Sequence, residues 1–160
     1  MLTDHQLNRL WDELIAAQTR SYYFGELVHK YQRRQNQITF LSLVFSSGAA
    51  VVFLLQLGNA WAAPAAAFVS AALSIYSLVA QNQKRSIESA DLHTRWAEIT
   101  TECVHLWESW FDENAIERLG QIEKHAAEAS KSSTQFPANK RAMARWMELA
   151  EAHHRESTAA

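Results

Sequence analysis

The sequence predicts an all-α membrane protein, in which a two-helix transmembrane hairpin is extended by a cytoplasmic helical bundle. Three observations predict it. Residues 35–83 carry no Asp, Glu, Lys or Arg, whereas roughly one residue in four is charged in a typical chain. Two apolar runs of membrane-crossing length lie inside that stretch. The flanks on either side repeat apolar residues at alternating three- and four-residue spacing, the mark of helices with one buried seam. The expected organisation is one module in three parts: an N-terminal cytoplasmic helix over 1–37, the hairpin over 38–80, and C-terminal cytoplasmic helices over 81–160.

The first helix begins near Asp4, with Thr3 or Asp4 as its cap. Leu7, Leu10, Leu14, Ala17, Ser21, Phe24, Val28 and Tyr31 form its seam, and Gln35, Ile38, Ser42 and Phe45 keep the register. One helix is therefore expected to run unbroken from the cytoplasm into the membrane. The first apolar run, 38–57, spans roughly 30 Å as a helix, matching the hydrocarbon thickness. Gly58, Asn59, Ala60 and Trp61 then make a turn too short for anything but antiparallel neighbours. Asn59 suits the cap of the second run, 62–80, and Pro64 falls in its first turn, where a missing N–H is tolerated.

Orientation follows from the flanking charges. His29, Lys30, Arg33 and Arg34 precede the first run, Lys84 and Arg85 follow the second, and the turn is uncharged. Positive charge marks the cytoplasmic side. The expectation is a bacterial inner-membrane location with both chain ends in the cytoplasm and Arg33, Arg34, Lys84 and Arg85 as a basic inner mouth. The first apolar run starts too far into the chain for a cleavable signal peptide.

After the hairpin, Leu92, Trp96, Ile99, Cys103, Leu106 and Trp110 form a second seam that returns alongside the first. Asp112 or Asn114 starts a further helix with Ala115, Leu119, Ile122, Ala126 and Ala129 on one face. Residues 130–135 read as a polar loop. Pro137 opens a last amphipathic segment with Met143, Trp146, Met147 and Ala150, and residues from His153 onward are expected to fray.

Chemistry is sparse. The four glycines are isolated, so no glycine loop cradles a phosphate. The one cysteine, Cys103, falls on an apolar helix face and reads as core. No metal set, catalytic residue or cofactor site stands out, and the chain is not expected to be an enzyme. A net charge of −2 offers no global attraction to nucleic acid, so none is expected to bind directly. The carboxylates of the post-hairpin helix, among them Asp91, Glu98 and Glu102, read as a solvated face.

The polar residues of the hairpin are more telling. Ser42 and Ser46 share a face of the first run with Thr39. Ser70, Ser74, Ser77 and Gln81 share a face of the second. Small hydroxylated residues let helices approach and hydrogen-bond across the contact. In an oligomer the same face lines a water-filled path. One hairpin cannot enclose a pore, so the second use demands several copies. No ionisable group sits within the runs, which excludes a proton-coupled transporter or a voltage sensor.

Lys30-Tyr31-Gln32-Arg33-Arg34, the uncharged hairpin, Gln81-Asn82-Gln83-Lys84-Arg85 and the Trp-containing helix from Leu92-His93-Thr94-Arg95-Trp96 together give the chain a recognisable layout. It resembles the SLATT family, two-helix membrane effector domains of bacterial conflict systems. The resemblance covers nearly the whole chain and rests on topology and helix length. It implies a homo-oligomeric effector that forms or gates a pore and disrupts the inner membrane in a defence response. A separate cytoplasmic sensor protein or a nucleotide-type trigger would act on it. The alternative is a membrane scaffold without a pore that docks a cytoplasmic partner through Trp107, Trp146 and Met147.

Overall fold

The computed structural model describes residues 1–46 and 62–158. The described chain is all-helical, with five helices: α1 (Asp4–Ser46), α2 (Ala62–Ala80), α3 (Asn82–Glu108), α4 (Ala115–Ser133) and α5 (Lys140–Thr158). It divides into two compact units, residues 1–27 with 88–160, and residues 28–87. The turn at 58–61 and the rest of the first apolar run, 47–57, lie outside the described residues.

In the larger unit, α1 starts where the sequence places it, for a local reason. The Thr3 N–H donates to Gln6 Oε1 (2.9 Å) and the Gln6 N–H donates to Thr3 Oγ1 (3.4 Å), a reciprocal capping box. The chain end is tied down as well. Leu2 is buried, its N–H donates to the Trp110 carbonyl (2.9 Å), and the terminal ammonium donates to the Asp112 carbonyl (2.8 Å).

The two expected seams form the core. Leu10, Leu14, Ala17, Ser21 and Phe24 of α1 are buried, as are Leu92, Trp96, Ile99, Cys103 and Leu106 of α3. Each fully buried large apolar side chain contributes about 1.5–3 kcal/mol. Ile15, Tyr23 and Leu27 are buried too, so α1 buries a wider stripe than one seam. The added face meets the connection between α4 and α5: the Tyr23 hydroxyl donates to the Pro137 carbonyl, and the neighbouring seam residue Phe24 stacks edge-on against Phe136 (5.6 Å). Trp96 anchors the centre, with no exposed surface. Its Nε1 donates to Ser133 Oγ (3.3 Å) and the Arg20 guanidinium lies 4.5 Å above its ring.

The later helices differ from expectation at their ends. α4 buries its five predicted residues but runs to Ser133, through most of the expected loop. There the Ser132 and Ser133 hydroxyls donate back to the Glu128 and Ala129 carbonyls, so they are satisfied inside the helix. α5 begins after Asn139, whose side chain accepts from the Ala142 N–H (3.2 Å). It continues to Thr158, past the His153 where fraying was expected.

The smaller unit holds the second half of α1, all of α2 and the first turn of α3. Tyr31, Ile38 and Asn82 are its buried residues. α2 has the predicted bounds. It gives way to α3 at Gln81, whose φ of 46° breaks the helix. The Arg85 N–H restarts the ladder on the Gln81 carbonyl (3.0 Å).

One expectation is corrected. Among the described residues no helix is long and apolar enough to cross a membrane. The inner-membrane location with both chain ends in the cytoplasm is therefore not upheld. The described part of the first run, 38–46, reaches only about 14 Å as a helix. α2 reaches about 28 Å, short of a hydrocarbon core about 30 Å thick.

Candidate functional site

The smaller unit carries the most unusual surface. A helix end and a whole helix without a charge fold side by side, and their large apolar side chains stay in the open. Phe40, Leu43, Phe68, Ile75 and Val79 are all exposed, Phe68 to 76% and Val79 to 75%. An isolated exposed Leu needs no explanation, but a run of this kind on one unit marks an interaction surface.

The sequence-predicted polar residues occupy this unit in different ways. Ser77 is half-buried, and the Gln35 side-chain amide of α1 donates to its hydroxyl (3.3 Å). This is a cross-helix bond of the packing kind. Ser74 is exposed, yet its hydroxyl donates to the Ser70 carbonyl of its own helix (2.9 Å). Ser70 and Ser42 are half-buried, and the Ser46 side chain lies outside the described residues. Gln81 leaves the serine face because it is the break between α2 and α3. Ser77, Gln81 and Lys84 nevertheless meet, together with Gln35, around an open depression of about 420 Å³. Arg33 lines another depression, about 540 Å³, with His29 and Phe40. Arg34 and Arg85 are exposed. The basic residues thus edge the apolar surface at the end where α1 enters it and α3 leaves it.

In the larger unit, burial pushes the Cys103 thiol up to about 12, with Glu13 and Glu102 adding to the shift. It is a core residue and an unreactive one at neutral pH. The His93 Nδ1–H points at the Ser21 carbonyl (2.8 Å), with the Ser21 hydroxyl at 3.1 Å. That nitrogen is spent on holding α1 to α3 and is no base for the serine. His125 faces Glu102 (3.3 Å) on an open surface. Among the described residues no group of three or more His, Cys, Asp or Glu is arranged to hold a metal ion.

The surface expected of a docking scaffold is largely internal. Trp107 packs against Trp11 (5.6 Å), and Trp146 against Tyr22 (5.4 Å) with its Nε1 donating to Glu26 (2.7 Å). Of the three residues, only Met147 is exposed.

Three residues read differently from the sequence, Gln35 as seam register, His154 as part of a solvated tail and Thr19 without a role. Gln35 is the donor that joins the two uncharged helices. His154 is half-buried and meets Gln18. Thr19 is a buried polar residue on the wall of a cleft. Only Gln35 left a trace in the sequence, as a polar residue in register with an apolar seam. The chain matches no family model, no curated protein and no solved structure.

Proposed function

We propose that the chain is a non-enzymatic effector that assembles as a homo-oligomer on a lipid bilayer and makes it leaky. The observation that carries the reading is the exposed apolar surface of α1 and α2, uncharged throughout and edged by Arg33, Arg34, Lys84 and Arg85. Apolar side chains in such number gain by leaving water, and a basic edge is attracted to anionic lipid. The resemblance to SLATT effectors points the same way.

Assembly is part of the proposal because two helices enclose nothing. Copies gathered on the bilayer surface can pack through Ser42, Ser70, Ser74 and Ser77 while Phe68, Ile75 and Val79 enter the boundary between headgroups and acyl chains. A bilayer disordered by such an assembly leaks without discriminating between ions, which is sufficient to collapse a gradient. A partner protein or small molecule would shift the population between resting and leaky assemblies.

Vesicles of anionic phospholipid loaded with a self-quenched dye test this. Purified protein is expected to release dye with a steep, higher-than-linear dependence on protein concentration. Ile75→Asp with Val79→Asp should abolish release. Ser70→Leu with Ser77→Leu should leave lipid binding intact and cut release at least tenfold. Vesicle binding without release at any concentration, trigger-free or with a cell lysate added, would favour a scaffold. Failure to bind vesicles at all would end the lipid reading.

A further inference from the structure

The larger unit contains a cleft that its own packing leaves unfilled. α5 leans on α1 along one edge only. Glu26 accepts from Arg145 (2.6 Å) and from Trp146 (2.7 Å), and the His154 ring meets Gln18. Along the other edge the helices stand apart and enclose a cavity of about 630 Å³. Small-molecule sites run from ~300 to 1,000 Å³ and are mostly apolar with a few polar groups. This cavity fits both descriptions. Trp11 and Ile15 of α1 line it toward one end and Met143 and Met147 of α5 toward the other, and methionine walls adapt to varied shapes.

A polar group on the wall has no partner. Thr19 is 4% exposed, and its hydroxyl makes no hydrogen bond. Other helical threonines of the chain are satisfied from within: Thr94, Thr100 and Thr101 each donate to the carbonyl four residues earlier. An unsatisfied buried hydroxyl costs about 1–3 kcal/mol. Threonine occupies two rotamers in a helix, so a turn about χ1 re-aims Oγ1.

The charges at the rim are unequal. The Arg20 guanidinium is engaged with the Trp96 ring and with Ser130 Oγ (3.1 Å), and Glu151 accepts from Arg155 (2.9 Å). Lys140 is exposed and makes no ion pair among the described residues. Asp12 lies towards the other end, since α5 runs antiparallel to α1 with residue 154 near residue 18 and residue 145 near residue 26.

We propose that this cleft binds a small amphipathic anion. An apolar, preferably aromatic, body lies against Met143 and Met147 and the α1 wall around Thr19. One anionic group reaches Lys140, and a hydrogen-bonding atom satisfies Thr19. The proposal is independent of any action on lipid.

The chain contains three methionines, Met1, Met143 and Met147, so full-length protein labelled with ¹³C at the methionine methyls reports on the cleft directly. The probe is 8-anilinonaphthalene-1-sulfonate, an aromatic body with one sulfonate. The Met143 and Met147 signals are expected to shift and saturate at one equivalent while Met1 stays. Ala144→Phe, which fills the cleft, should abolish the shifts. Lys140→Glu should weaken binding about tenfold, the size of one charge-assisted hydrogen bond. Unmoved Met143 and Met147 signals at saturating probe would overturn the proposal, as would identical shifts in a helical Ala144→Phe protein. Unchanged affinity in Lys140→Glu would overturn the anionic end. If Ala144→Phe does not fold, the wild-type and Lys140→Glu titrations still decide.

Discussion

At the scale of single residues, Gln81 shows how local backbone chemistry places an element boundary. Its φ of 46° lies in the left-handed region, which costs a residue with a Cβ roughly 1–2 kcal/mol. The strain is tolerated where one helix ends at Ala80 and the next restarts its ladder on the Gln81 carbonyl. Glycine relieves the strain but gives back part of the gain through its freer unfolded chain. Gln81→Gly should therefore be neutral to about 1 kcal/mol stabilising. Gln81→Val, with its branched Cβ, should be destabilising by about 1 kcal/mol or more. Urea unfolding followed by circular dichroism measures both; equal midpoints for Val and Gly would show that the break does not depend on residue 81.

At the scale of elements, α1, α3 and α4 were legible because their apolar seams pack against one another, so periodicity and burial report the same fact. α5 was legible only in its middle. Ala150 is its one buried apolar residue among those described. The rest of its docking comes from Glu26, Tyr22 and Gln18, polar or aromatic partners more than a hundred residues away that no local pattern reveals. His154 is the far end of that attachment. Burial, and secondarily His153, hold its pKa below the ordinary value of 6.5. A base with a lowered folded pKa binds protons more readily when unfolded. It costs no stability above pH 6.5, and destabilises progressively as pH falls below that value. Glu13 works in the opposite sense: burial raises its pKa, so its cost is present at neutral pH and is relieved on acidification through the carboxylate range. The two windows separate. Between pH 7.5 and 5.5, hydrogen-exchange protection factors, referred to the intrinsic rate at each pH, should fall in α5 before α3, and His154→Gln should flatten that dependence. Uniform exchange changes in both helices would exclude a local origin at His154.

At the scale of the whole molecule, charge segregation is the property that shapes everything else. Residues 35–83 contribute no charge to a chain that places its Lys, Arg, Asp and Glu on either side. Length and apolarity made those residues look like a complete hairpin across a bilayer. The described helices are not enough for a crossing, and α2 is rich in Ala and Ser. The same small residues allow helices to approach closely, and the exposed Phe40, Phe68 and Val79 supply the apolar area that makes association worthwhile. Self-association should therefore depend on the smaller unit alone. In sedimentation velocity the full chain is expected to shift to larger species with rising concentration. Phe68→Asp with Val79→Asp should hold it as a monomer, since a carboxylate buried at a contact between copies has no cation there to pair with. The substitutions leave the core around Trp96 untouched, so the unfolding midpoint of the larger unit should be unchanged. Assembly that survives both carboxylates would move the contact to another face and remove the structural basis for an oligomer built on α1 and α2.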